Sequence, residues 1–432
     1  MGLRACTALA LKINDLCCIG RALPKAPRPS PVKALSGCSS TGNTFLHQAF
    51  SCGILNCNPL LLVGVNDGLH RRHEQGNAWV EKYIAFCVGT MAPSAMWQAL
   101  LEAFRGFGGI AENVMQREGP FGMGLFPIDP GKTVKLRVPD ALLVPIDAVQ
   151  LQEGAVVIKD PSAFPPGYAD WFMQYQANHS WGLDGCRSIE AFEEGLKALP
   201  DAVHQDLKRL GLYNLDNRFP GENREQEIFQ RFLKTRFINH KGNKVLMPVI
   251  ELVNHAPAAK GFYQGGDGIA VGGVHADEIL VNYSVSDPLH RLLGYGFNCQ
   301  EPSGFSLNLC LQHNGQQVVV QGGVRRDGLT KPCTIERQDD KLVVVQPLLG
   351  LRREPGLPRT LFSRACAAVP GLRANELFDQ IHQGNTMALM GLLLQLEGVG
   401  GDGAAQLRQG CLDHWIAIGN DLGTRSDLLQ SA

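Results

Sequence analysis

The sequence holds no apolar run that approaches the ~18 residues a membrane-crossing helix needs; the best candidate, Leu60-Leu61-Leu62-Val63-Gly64-Val65, is far too short. A soluble protein with no membrane partner is expected. Net charge is also nearly absent, 40 Lys and Arg against 41 Asp and Glu giving −1, so the whole chain has no electrostatic footprint for nucleic acid. A disulfide framework is missing too. The 13 cysteines are odd in number, and those from Cys87 to Cys411 stand singly, the pattern of reduced intracellular thiols. A cytoplasmic location is therefore expected. No C-x2-C pair occurs, so Cys38, His47, Cys52 and Cys57 do not form a zinc knuckle and no metal is expected. No internal repeat is visible. What is present is length: 432 residues suffice for two or three domains with sizeable cores.

The first 90 or so residues differ from the rest. Up to Asn43 the basic residues Arg4, Lys12, Arg21, Lys25, Arg28 and Lys33 face the single acid Asp15, around a Pro-rich stretch at 24–31. Such a segment cannot bury a core and reads as a disordered extension. An organellar transit peptide has a similar signature and would move the protein into an organelle.

Apolar residues recurring at helical spacing place a first helix over Ser94–Phe104, with Ser94 as its cap. Strands are expected at 121–126, 133–138 and 141–146. Between about 165 and 235 the pattern turns helical, with Ile189, Phe192, Leu196 and Leu199 on one face and Ile228, Phe229, Phe232 and Leu233 on another. Strands resume at 244–253, 268–274, 278–283, 304–312, 316–320 and 341–346. From about Pro358 the reading is helical again, clearest at 375–378 and 387–394.

Polar residues stand in unusual places. The apolar run Met247-Pro248-Val249-Ile250-Glu251-Leu252-Val253 ends on Asn254-His255, and Tyr283 and Tyr295 close later stretches. Such a run reads as a buried strand. Buried amide, imidazole and phenol groups need partners, and a ligand would serve. Upstream, Phe121-Gly122-Met123-Gly124 offers a backbone that approaches a ligand closely and tolerates positive φ.

Taken in order, FGMGLF with IDPGKTVKLRVPDALL, MPVIELVNHAP, ADEILVNYS and LLGYGF resemble the motifs of the SET-domain methyltransferases, above all the branch that includes the Rubisco large-subunit lysine methyltransferases. The resemblance is specific over about 115–312. It implies an α+β fold of small, pseudo-knotted sheets: a SET domain over 91–165 and 235–312, a helical insert over 166–234, and a mainly helical substrate-docking lobe over 313–432. The pseudo-knot implies that Met123 and Asn254 meet in space.

The resemblance further implies an S-adenosylmethionine-dependent enzyme that methylates a lysine ε-amine of a protein substrate. Histidine methylation on the same fold, or a catalytically silent peptide-binding module, are the alternatives. Phe121, Gly122, Met123, Gly124, Asn254 and His255 would hold the cofactor. Tyr283 and then Tyr295 would be the catalytic tyrosines, and Phe297 would wall the substrate channel with them. Arg236, in Lys234-Thr235-Arg236-Phe237, falls where the family has an arginine near cofactor and substrate. Glu251 stands where the family usually has Asp facing substrate, and Ser284 where Gly often follows the tyrosine.

Overall fold

Alternation builds the central sheet. In the strand Thr133–Pro139 the side chains of Val134, Leu136 and Val138 are buried while Lys135 points outward, the period-two pattern of a sheet with one covered face. This strand pairs antiparallel with Ile110–Glu112 on one side and Gly268–Val274 on the other, and Tyr263–Gly265 completes the sheet. The computed structural model describes residues 93–213, 223–325 and 328–419. The chain divides into Met1–Glu74 and Gln75–Ala432, and every described residue belongs to the second unit. The expected extension and Cys38, His47, Cys52 and Cys57 lie outside the described residues.

The described helices are α1 (Pro93–Gly106), α2 (Tyr168–His179), α3 (Cys186–Lys197), α4 (Asp201–Arg209), α5 (Arg224–Arg236), α6 (Pro288–Tyr295), α7 (Leu357–Cys366), α8 (Ala374–Gln395) and α9 (Asp402–Ala417). The sheets between them are small, so the fold is α+β. None of these helices is long and apolar enough to cross a membrane. Two cores form. The first gathers Trp97, Leu101 and Phe104 of α1, the central sheet, Trp171 and Phe172 of α2, and Phe229 and Phe232 of α5. The second joins Phe192 and Leu196 of α3 and Leu207 of α4 to Leu289 and Leu292 of α6 and to α8 and α9. The segment read from sequence as one helical insert thus contributes to both cores.

Several expected strands are shorter or broken. Over 141–146 only Val144–Pro145 pairs, between single 3₁₀ turns at Asp140–Leu142 and Ile146–Ala148, because Pro145 has no N–H to extend a ladder. The run 244–253 is a strand only to Leu246. Beyond Pro248 the chain turns at Val249, whose φ of 73° and ψ of −53° fall in the γ-turn region, and enters the 3₁₀ turn Ile250–Leu252. A β-branched residue at positive φ is strained, at a cost of roughly 1–3 kcal/mol. Apolar content alone could not separate a buried strand from this buried turn. Of 278–283 only Leu280–Val281 pairs, parallel to Asn254–His255. The run 304–312 splits into Ser303–Phe305 and Leu309–His313, which join different sheets. The two helical stretches after Arg373 merge into α8.

Helix α6 begins with Pro288 in its first turn and is capped by Asp287, whose carboxylate accepts from the His290 N–H at 2.8 Å. The same buried carboxylate pairs with His290 Nδ1 at 2.8 Å and lies 3.3 Å from His414 Nδ1 of α9. Burial alone would raise the Asp287 carboxyl, but the charges and hydrogen bonds of the two histidines hold it well below the usual carboxylate range. Burial works against a charged His290, yet the Asp287 carboxylate raises its pKa above the ordinary value. The Asp287 contribution is therefore present above the unfolded carboxylate pKa and lost in acid. The His290 contribution is complete below about pH 6.5 and is lost as pH rises through the raised folded value. The melting temperature of the protein is expected to fall as pH rises from 6.5 through the alkaline range, and His290→Asn is expected to flatten that limb. A wild-type limb already flat would refute the pairing.

Candidate active site

The strands Met115–Gly119 and Gly122–Phe126 form a hairpin closed at Gly122, which has φ 84°. Gly124 has a different need: a Cβ there would sit on Glu278 Oε1 and 2.7 Å from Asn254 Nδ2. The space it leaves is filled by a polar junction. Asn254 Nδ2 donates to the Met123 carbonyl at 3.2 Å and to Glu278 Oε1 at 2.6 Å. Met123 and Asn254 therefore do meet, across 131 positions of sequence. Gly124→Ala is expected to destabilise the protein by about 1–3 kcal/mol through overpacking and to break the Asn254 bond. Gly122→Ala, which meets no atom within 4 Å, is expected to show only the cost of positive φ, about 1–2 kcal/mol. Denaturant unfolding of both checks this; a Gly124→Ala protein as stable as wild type refutes the junction.

His255 is buried and fully engaged. Its Nδ1 accepts from the Tyr283 N–H at 3.2 Å, so Nε2 carries the proton and donates to Glu301 Oε1 at 3.0 Å. Glu301 also receives Arg291 Nε at 2.7 Å, and Arg291 Nη2 donates to the Ser284 carbonyl at 2.8 Å. Arg291 is fully buried, with its guanidinium 4.8 Å from the Tyr295 ring centre. With Cys299, His255 and Glu301 place three potential metal-ligand atoms within 4.8 Å of one another. The arginine cation already neutralising Glu301 opposes a metal ion there.

Tyr283 donates its hydroxyl hydrogen to the Val253 carbonyl at 2.7 Å. Its ring is near-parallel to Phe262 and 5.6 Å from Tyr295, and Tyr295 lies 6.2 Å from Phe297. Burial raises the Tyr283 phenol well above its ordinary pKa, so it stays un-ionised, its oxygen lone pairs free to accept.

Glu251, on the 3₁₀ turn after Val249, receives three donors on one oxygen: Tyr175 Oη at 3.0 Å, Gln176 Nε2 at 2.9 Å and Ser180 Oγ at 3.0 Å. Its other oxygen is buried without a hydrogen-bond partner. Burial pushes this carboxyl up against the opposing effects of Arg236 and those three donors. Arg236 ends α5, stacks on Phe232 at 4.2 Å and gives Nη1 to Thr235 Oγ1, while its Nε is unpartnered.

These groups line one cleft of about 610 Å³. Its walls include Phe121, Gly122 and Met123 from the glycine block, Glu251 and Asn254 from MPVIELVNHAP, Arg236 between those two blocks, and Tyr283, Tyr295 and Phe297 from the last two. Gly124 and His255 stand behind this lining. Phe121 is 61% exposed at the rim.

Sequence reading missed the α2 residues Tyr175, Gln176 and His179 with Ser180 just after them, and also Gln116, Arg291 and Glu301. The α2 group did leave a signal. Tyr168, Trp171, Phe172, Tyr175, Gln176 and His179 share one buried helix face, and an amide and an imidazole on an otherwise aromatic face call for partners.

No protein-family model and no curated protein matches the chain. Among solved structures, the SET domain of LSMT bound to lysine and AdoHcy aligns over 79% of this chain and 92% of that one, at 12% identity and a TM-score of 0.34. Rubisco LSMT bound to sinefungin and monomethyllysine aligns over the same shares at 13% identity and a TM-score of 0.32. At such values the likeness is distant, and the functional reading rests on the site's own residues.

Proposed function

We propose that this chain is an S-adenosylmethionine-dependent protein methyltransferase of the SET class, acting on a lysine ε-amine. The observation that carries the reading is the Asn254–Met123 hydrogen bond. It joins the Gly-x-Gly hairpin and the Asn-His segment beside a cleft whose remaining wall is the tyrosine block, the arrangement the sequence motifs imply.

The residues fit such a cofactor. The cleft has the size of a small-molecule site, within the range of about 300–1,000 Å³. Two residues of its lining carry buried polar atoms without a hydrogen-bond partner: Arg236 Nε, a donor, and Glu251 Oε2, an acceptor. Such a pair suits a molecule with an amino-acid end. The main chain of Phe121 and Met123, with Asn254, would hold it. S-adenosylmethionine supplies, when bound, a methyl group already activated on a sulfonium.

The protein's own work is then positioning and drying the reactants. A lysine amine must enter without its proton, although free lysine titrates at about 10.4. The low-dielectric cleft disfavours the ammonium form. Tyr283, having given its hydrogen to Val253, offers an oxygen that accepts from the amine N–H and orients the nitrogen. Tyr295 and Phe297 close the channel with aromatic faces, favourable to an alkylated amine.

Titration calorimetry with S-adenosylhomocysteine, followed by incubation with methyl-labelled cofactor and a cell extract, tests the proposal. Saturable binding and label recovered on lysine are expected. Absence of cofactor binding overturns it, and label recovered on histidine replaces the substrate class.

A further inference from the structure

We infer that His179 binds the ligand directly, its Nε2 accepting a hydrogen bond from an N–H of the molecule in the cleft. The inference rests on the methyltransferase reading and adds a contact from outside the glycine, Asn-His and tyrosine segments.

His179 is the last residue of α2, is 6% exposed, and lines the cleft beside Gln116, Phe121 and Met123. Gln116 grips it at two points. The Gln116 amide nitrogen donates to the His179 carbonyl at 2.9 Å, which turns the amide oxygen toward the ring, 2.6 Å from Nδ1. Only a protonated Nδ1 makes that contact favourable, so the tautomer is set and the lone pair lies on Nε2. Trp97 packs against the ring at 5.0 Å. A ring flip would forfeit the bond to Gln116.

Nε2 is buried and has no hydrogen-bond partner. Buried acceptors are ordinarily satisfied, and this one belongs to a side chain whose other nitrogen is held in a fixed geometry, at the wall of a cavity. Burial lowers the imidazole to about 4, which keeps the lone pair bare at neutral pH. A bare imidazole nitrogen accepts N–H donors and repels carbonyl and carboxylate oxygens. The matching chemistry is an amine. Three such groups enter a methyltransferase cleft: the amino-acid amine and the adenine amino group of the cofactor, and the amine of the substrate.

The test uses the full chain with ¹⁵N-labelled histidine, adding S-adenosylhomocysteine in one arm and S-adenosylhomocysteine with L-lysine in the other, with calorimetry in parallel. The downfield resonance of the unprotonated His179 Nε2 is expected to move upfield as it accepts a hydrogen bond. Movement with S-adenosylhomocysteine alone assigns the donor to the cofactor; movement only after lysine is added assigns it to the substrate. His179→Leu is expected to weaken the responding ligand about 10-fold, and the resonance in the wild-type protein carries the test if that variant does not fold. Binding heat from S-adenosylhomocysteine with the resonance unmoved in both arms overturns the inference and leaves the functional reading standing. No binding of S-adenosylhomocysteine overturns that reading and the inference with it.

Discussion

Tyr283→Phe is expected to lower methyl transfer by roughly 10- to 100-fold while leaving the dissociation constant of S-adenosylhomocysteine nearly unchanged, the loss of one hydrogen bond of about 1–3 kcal/mol in the transition state. The phenol oxygen is held by its own bond to the Val253 carbonyl at 2.7 Å, so the wild-type group is oriented before substrate arrives. Phenylalanine keeps the ring contacts with Phe262 and Tyr295 and loses only that oxygen. Asn254→Ala is expected to behave oppositely. Its amide links the Met123 carbonyl to Glu278, and Glu278 Oε2 already lacks a partner, so its loss loosens the hairpin and weakens cofactor binding first. Single-turnover rates and calorimetry on both variants make the comparison. Full methyl transfer by Tyr283→Phe would leave Tyr283 a packing residue and make Tyr295 the candidate.

Arg291→Met is expected to cost about 3–5 kcal/mol of folding stability, because removing one partner of a buried ion pair strands the other charge. Both side chains are almost completely buried, 0% and 2% exposed, and their atoms lie 2.7 Å apart. Adding Glu301→Gln to Arg291→Met is expected to recover part of the loss. The amide removes the stranded charge and still offers an oxygen to the His255 Nε2–H. Urea unfolding of the single and double variants measures the coupling. Equal stability of wild type and Arg291→Met would show that the pair contributes nothing. The network also reaches the site, since His255 receives the Tyr283 main-chain N–H; the single variant is therefore expected to lose methyl transfer even where it remains folded.

Much of the lining of the candidate cleft was legible in the sequence because its parts are local. The Gly-x-Gly turn, the Asn-His pair and the two tyrosines each sit in a short window, and their order along the chain is a pattern that residue types alone can carry. Alternation in TVKLRVP and helical spacing in α1 fixed those elements for the same reason: the period of burial is written into neighbouring residues. Tertiary structure decided what depends on distance in space. It bent MPVIELV into a γ-turn and a 3₁₀ turn where composition suggested a strand, and so aimed Glu251 at Tyr175, Gln176 and Ser180. It gave Gly124 its reason, an absent Cβ where Glu278 and Asn254 enter. It also divided the 166–234 helices between two cores. No window of sequence contains Gln116 and His179, or His255, Arg291 and Glu301, as neighbours. Their pairing exists only because packing excludes water from groups that must then satisfy one another, and that demand is set by the folded surroundings of each atom.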